Sequence, residues 1–383
     1  MKPPLADPAP GLDLIKPSVR GQPAYALKPR AARRKLNQNE SPYDVPPELK
    51  REILARMAAA PWHRYPEFVP ARLLEQLSVR FDWPAEGILV GNGSNELIQA
   101  TLAVALEAGD PVVAPAPTFS LYRLLTNVFG GCYVPVGLGP EFRYNVEALS
   151  EVAARERARV VVLNSPNNPT GSALPPAGVE RLLETTDALV LCDEAYQDFG
   201  GPTALGLLAS SPRVVVLRTF SKAFGLAGLR LGYALAHPAV TRLLMRAKVP
   251  WNVSSLTLAG ALAALDDVEE FERRMKQLRH GRDYLERELG SIRGLSVISG
   301  EGNFVLLDVA KSGVSAEAIV EAMLTEGVYI RLLAVHHAKR SYVRVTVGTE
   351  EQNTCCVEAM RRVLSQTRRW APPTPAVDGI SQP

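Results

Sequence analysis

Short apolar runs rich in β-branched residues recur through the middle of the chain, and a polar, turn-forming cluster follows each of them. Residues 160–163, 188–192 and 214–217 are three such runs. Stretches of this length, closed by turn residues, predict strands buried on both faces of a parallel sheet. A briefer run at 88–90 leads into Gly91, Gly93, Ser94 and Asn95, after which Leu97, Ile98, Thr101, Leu102 and Ala105 recur at helical spacing. Strands alternating with helices over residues 61–265 predict an α/β sheet domain. Residues 268–289 are charged and helix-forming, which predicts a long connecting helix. Beyond it, residues 295–299, 303–308, 328–332 and 342–347 read as strands separated by helical stretches, a smaller α+β domain.

The ends of the chain are of another kind. Residues 1–36 are rich in proline and basic side chains and read as an arm, whereas residues 46–60 can begin a helix. The expected division is an arm (1–36), a part of the smaller domain (37–60), a large domain (61–267), the rest of the smaller domain (268–371) and a disordered tail (372–383).

Composition narrows the classes. A chain of 383 residues that is 46% hydrophobic can bury a large core. Its formal net charge of +3 is too small to argue for nucleic acid. No apolar run is long enough for a membrane span, and the first thirty residues lack a signal-peptide core, so a soluble cytoplasmic protein is expected. Cys132, Cys192, Cys355 and Cys356 show neither metal-ligand spacing nor a disulfide framework. His63, His237 and His280 are isolated, and His336 and His337 fall in an expected loop, so no metal site is expected and no histidine needs a catalytic role.

The chemistry lies in the clusters that follow the strands. Lys222 sits just after the run 214–217, between Ser221 and a glycine-bearing stretch that ends at Arg230. An amine there can form a Schiff base with an aldehyde cofactor while Ser221 and Arg230 bind a phosphate beside it, which is pyridoxal phosphate chemistry. The run 188–192 leads directly into Asp193 and Tyr196. Such a carboxylate can pair with a protonated pyridine nitrogen and the phenol can reach the ring oxygen, although an aspartate at a strand end can also be only a helix cap. After residues 160–163 comes the turn of Asn164 to Gly171, in which Asn168 can donate to the same oxygen. The turn at Gly93, Ser94 and Asn95 opens a helix and offers free N–H groups to an anion, or serves the turn alone. On its strand Arg344 lies opposite Val343 and Val345, and its planar fork suits a carboxylate unless it is an ordinary edge-strand arginine.

SPNNPTG at 165–171, DEAY at 193–196 and SKAFGLAGLR at 221–230 together resemble the signature segments of the fold-type I, class I/II pyridoxal-phosphate aminotransferases. Within that class the chain most resembles the histidinol-phosphate aminotransferase family, over roughly residues 12–365. The resemblance implies an α/β fold with a large mixed-sheet αβα domain and a smaller α+β domain. It implies that Phe119 stacks on the cofactor ring, a residue that alone would read as core packing. It further implies that Arg344 takes the α-carboxylate of glutamate, that Arg331 meets a substrate phosphate with Tyr25 assisting, and that Tyr65 crosses a homodimer boundary to the partner's cofactor phosphate. The stretch 37–42 matches a family segment expected to line the mouth of the site. The implied reaction exchanges an amino group between histidinol phosphate and 2-oxoglutarate, or runs from imidazole-acetol phosphate and glutamate in reverse, within histidine biosynthesis. An aromatic or broad-specificity aminotransferase would keep every cofactor residue, a threonine-phosphate decarboxylase uses a similar frame, and a sensor module would need a DNA-binding segment for which the N-terminal arm is too short.

Overall fold

The computed structural model describes residues 11–22, 30–333 and 341–367. Its strands in chain order are β1 (Arg34–Lys35), β2 (Ile88–Gly91), β3 (Pro111–Ala116), β4 (Cys132–Gly137), β5 (Val160–Asn164), β6 (Leu189–Asp193), β7 (Val214–Thr219), β8 (Gly232–Ala236), β9 (Ser296–Ile298), β10 (Phe304–Asp308), β11 (Val328–Tyr329), β12 (Arg331–Leu333) and β13 (Tyr342–Thr346). Among the described residues, seven of these form one mixed sheet in the order β2-β8-β7-β6-β5-β3-β4. Strands β3 to β7 are mutually parallel, and β8 runs antiparallel to both of its neighbours.

The apolar runs occupy the middle of this sheet because a strand with no polar face must be covered on both sides. Alternate residues of one strand accordingly enter different cores. Val161, Leu163, Val190 and Val216 pack on one face, while Val160, Val162, Leu191 and Val215 pack on the other. Register then aligns the strand ends: Asn164 lies beside Asp193, and Asp193 beside Leu217. The polar clusters that follow β5, β6 and β7 are thereby gathered at one edge, where open α/β sheets bind ligands.

The helices are α1 (Pro17–Arg20), α2 (Pro47–Ala59), α3 (Ala71–Phe81), α4 (Ser94–Ala105), α5 (Leu121–Val128), α6 (Val146–Arg155), α7 (Pro176–Thr185), α8 (Pro238–Ala247), α9 (Ser255–Asp266), α10 (Val268–Gly290), α11 (Ala316–Thr325) and α12 (Glu350–Thr367). Asn145, Ser254, Asp267 and Ser315 cap α6, α9, α10 and α11 by accepting an amide of the first turn. The expected connector is α10, which buries Met275, Leu278, Leu285 and Leu289 against a second sheet. That sheet is antiparallel, in the order β12-β13-β10-β9. The run 328–332 does not form one strand. Residues 328 and 329 pair with β1, whereas 331–333 pair with β13, and a chain that serves two sheets must break between them. Residues 37–60 also divide: Asn39 hydrogen-bonds to Thr346 of β13, while α2 packs on α9. No helix among the described residues is long and apolar enough to cross a membrane.

One buried ion pair fastens the site edge from behind. Arg218 of β7 meets Glu194, just past β6, at 2.8 Å with side-chain exposures of 3% and 2%. Thr203, Gln197 and the Ala204 amide add hydrogen bonds around it, and Asp198 lies 3.6 Å from Arg218. Arg218→Ala is expected to cost about 3–5 kcal/mol by leaving the Glu194 and Asp198 carboxylates without this cation. Equilibrium urea denaturation measures this, and Glu194→Ala combined with Arg218→Ala should recover part of the loss.

Candidate active site

The strand ends open into a cavity of about 530 Å³ whose walls come from both sheets. Lys222, Asp193, Tyr196, Asn168 and Phe119 face it from the large sheet, and Arg331 and Arg344 from the small one. Lys222 Nζ donates to the Gln38 carbonyl at 3.1 Å and lies 5.7 Å from the centre of the Tyr196 ring.

An anion cradle lies at one end. Helix α4 starts from Gly93, at φ 81°, without any side-chain cap, so its first N–H groups are left for a ligand. Ser94 and Asn95 both line the cavity. Arg230, itself at φ 56°, donates through Nη1 to Ser221 Oγ at 3.1 Å. A Cβ on Gly93 would come within 2.4 Å of Arg230 Nη2, and one on Gly232 within 2.2 Å of the Ser94 amide nitrogen. Both positions need glycine for the cradle to close; the sequence pointed to Gly93 but not to Gly232.

Asp193 ends β6 and is 3% exposed. Its Oδ2 accepts the Tyr122 hydroxyl at 2.7 Å, and Oδ1 accepts the Ala195 amide at 3.2 Å. Burial pushes the carboxyl above the usual carboxylate range, against the opposing effects of Tyr122, Ala195 and the Lys222 charge. A protonated pyridine nitrogen beside it would favour its charged form further. Tyr122 on α5 is fully buried, and burial, then Asp193, hold its phenol well above its ordinary value. Sequence reasoning assigned Tyr122 no role, because a tyrosine on an apolar helix face reads as core.

The arginines meet across the small sheet, where Arg331 and Arg344 are register partners on β12 and β13. Arg344 donates through Nη1 to Asn168 Oδ1 and through Nη2 to the Asn37 carbonyl at 3.1 Å. With its oxygen taken, Asn168 has its NH₂ group left to donate. Asn37 was expected only to line the mouth. It is 1% exposed, and neither amide atom has a hydrogen-bond partner.

Of the residues singled out in the sequence, Ser94, Asn95, Phe119, Asn168, Asp193, Tyr196, Ser221, Lys222, Arg230, Arg331 and Arg344 line this one cavity. Gly93 supports it from the turn. Tyr65 is elsewhere: it is 79% exposed and stacks on Trp251 with ring centres 4.9 Å apart. Tyr25 lies outside the described residues. A phosphate cradle, an amine, a buried carboxylate and two groups beside a ring oxygen fit pyridoxal phosphate.

The family model described as aminotransferase class I and II matches residues 34–360. The histidinol-phosphate aminotransferase of Symbiobacterium thermophilum is 38% identical over 92% of this chain and 97% of its own length. That of Chlorobium phaeovibrioides is 34% identical over 90% and 96% respectively. The crystal structure of histidinol-phosphate aminotransferase from Sinorhizobium meliloti in complex with pyridoxal-5'-phosphate superposes with a TM-score of 0.83 at 27% identity, covering 92% of this chain and 97% of that one.

The Tyr122 hydroxyl stabilises the charged form of Asp193 more than the neutral acid. Because the folded-state pKa of Asp193 lies above its unfolded value, its contribution to stability is greatest in acid and falls as pH rises through that pKa. Tyr122→Phe should deepen this fall. The variant is expected to lose about 1.5–3 kcal/mol at neutral pH, with the difference from wild type narrowing toward acid, as measured by urea denaturation of the cofactor-free protein across pH.

Proposed function

The chain belongs to the aminotransferase class I and II family, and we propose that it exchanges an amino group between histidinol phosphate and 2-oxoglutarate in histidine biosynthesis. The observation that carries this reading is the convergence on one cavity of Lys222, Asp193 and the opposed arginines Arg331 and Arg344. Pyridoxal phosphate, when bound, supplies an electron sink for the bonds at the substrate carbon. Ser94, Asn95, Ser221 and Arg230 would hold its phosphate, and Lys222 would hold its aldehyde carbon. Asp193 keeps the pyridine nitrogen protonated, Tyr196 and Asn168 donate to the ring oxygen, and Phe119 packs on the ring. With its amine free, Lys222 Nζ would be the base that removes the proton from the substrate's α-carbon. A cytoplasmic location goes with this reading, as does a division between a cofactor-holding domain (residues 61–267) and a smaller one (residues 37–60 and 268–371).

Two cations serve two dissimilar amino donors. Arg344 takes the α-carboxylate of glutamate through its fork, and Arg331 takes the phosphate of histidinol phosphate. Arg331→Ala should lower kcat/KM for histidinol phosphate roughly 30-fold to several hundredfold, mostly through KM, while sparing glutamate; this corresponds to about 2–4 kcal/mol. Arg344→Ala should instead damage glutamate turnover. Steady-state kinetics with both donors checks this. Equal losses in both variants would remove the division, and a wild-type protein that prefers phenylalanine or tyrosine to histidinol phosphate would make it an aromatic aminotransferase.

The active unit is proposed to be a homodimer in which Tyr65 reaches the partner's cofactor phosphate. An exposed aromatic cluster supports this: Tyr65, 79% exposed, and Phe68 each pack on Trp251, and Trp62 nearby in the chain is also 79% exposed. Mixing inactive Lys222→Ala subunits with Tyr65→Phe subunits should restore activity, because one site of the hybrid holds both native residues. A fully active monomer, or hybrids without recovery, would exclude the shared site.

A further inference from the structure

Asn39 has a backbone that few residues adopt and a side chain with no freedom left. Its φ is 56°, and it is fully buried. The Asn303 amide holds its carbonyl at 3.1 Å. Its own N–H donates to Thr346 Oγ1 at 2.9 Å, so the Thr346 hydroxyl proton is free to be donated onward, and it meets Asn39 Oδ1 at 3.1 Å. That pairing fixes which end of the amide is which. The NH₂ end therefore points at Tyr196, where Nδ2 donates to the hydroxyl oxygen at 3.1 Å. A phenol oxygen that already accepts from Asn39 has one proton of its own to place, and it cannot give that proton back to an NH₂ group.

We propose that Asn39 is a positioning residue that sets the direction of the Tyr196 hydroxyl, obliging it to donate into the cavity toward the ring oxygen of the bound cofactor. Thr346 shares β13 with Arg344, two residues away. The strand that supplies the carboxylate-binding arginine thus also orients the phenol, through Asn39. The inference rests on reading the cavity as a pyridoxal-phosphate site with Lys222 as the attached amine.

The charged and titratable groups near this phenol are Lys222, 5.7 Å from its ring centre, Asp193 three residues earlier, Tyr122, and Arg344, whose guanidinium lies over Phe304 at 5.2 Å. Asn39 is uncharged, so replacing it removes a hydrogen bond without removing a charge. A ring oxygen that receives the Tyr196 proton disperses its negative charge and holds the neighbouring proton of the cofactor–lysine linkage less tightly. When that donation weakens, the linkage should keep its proton to higher pH.

The test is an absorbance titration of the cofactor-loaded protein, with no substrate present. In Asn39→Ala the pH midpoint of the lysine-linked band should rise by about 1 pH unit, the size expected of one lost hydrogen bond. Asn39→Gly, which keeps the left-handed backbone without strain, should rise equally. Tyr196→Phe should rise at least as far, and Asn39→Gly combined with Tyr196→Phe no further than Tyr196→Phe alone, since both changes act through one hydroxyl. An unmoved midpoint in the Asn39 variants would overturn the proposal, as would full additivity in the double variant. A wild-type protein whose cofactor band is not linked to Lys222 would overturn the functional reading and this inference with it, and that outcome is visible before any variant is made.

Discussion

A carboxylate held away from water is costly unless its surroundings answer its charge, and the arrangement around Asp193 follows from that cost. Burial alone would leave the group protonated and useless as a counter-charge. Three neighbours oppose this: the Tyr122 hydroxyl, the Ala195 amide and the Lys222 ammonium. Each comes from a different part of the chain, namely helix α5, the turn after β6 and the turn after β7. Only a sheet whose parallel strands end in register can bring the last two together. The Arg218–Glu194 pair, one position on from the register partners Asp193 and Leu217, holds that register where solvent scarcely reaches.

The small sheet adds what the large one cannot. Its strands bring no group to the cofactor's phosphate, yet Arg331 and Arg344 enter the same cavity from the opposite wall. Arg344 is joined to the large sheet's turn through Asn168 and to the N-terminal stretch through the Asn37 carbonyl. On the proposed reading, a carboxylate docking on this fork would compete with those acceptors and so couple substrate binding to the orientation of Asn168. The parallel pairing of β1 with β11 draws the N-terminal stretch onto the smaller body, which places Asn37 and Gln38 on the cavity and Asn39 between Thr346 and Tyr196.

The large sheet was legible in the sequence because its strands are uniformly apolar and end on turn residues whose chemistry is specific. Lys222, Asp193, Asn168 and Arg230 could be read for the same reason, each standing just past a strand in a cluster that makes little sense as surface. The residues that escaped were those whose function depends on a distant neighbour. Tyr122 belongs to an apolar helix face and acquires meaning only when Asp193 is 2.7 Å away. Gly232 begins a strand, and nothing local says that the Ser94 amide will press against it. The break of the 328–332 run at Ile330 was equally invisible, since its cause is that two different strands, β1 and β13, claim the two halves.

That break is also what brings Arg331 beside Arg344. Cofactor chemistry requires the cradle, the amine and the buried carboxylate, and these depend on the large sheet alone. On the proposed reading, choice of substrate falls to cations at the opposite wall, and Arg331 lines the cavity from β12, which is separate from β11 and pairs with β13. Had residues 328–332 stayed one strand alongside β1, alternation would have set the direction of Arg331 by its parity with Val328 and Tyr329 rather than by the cavity. On the proposed reading, the choice of substrate follows from a local discontinuity in the small sheet, while the cradle, the amine and the buried carboxylate stand on the large one.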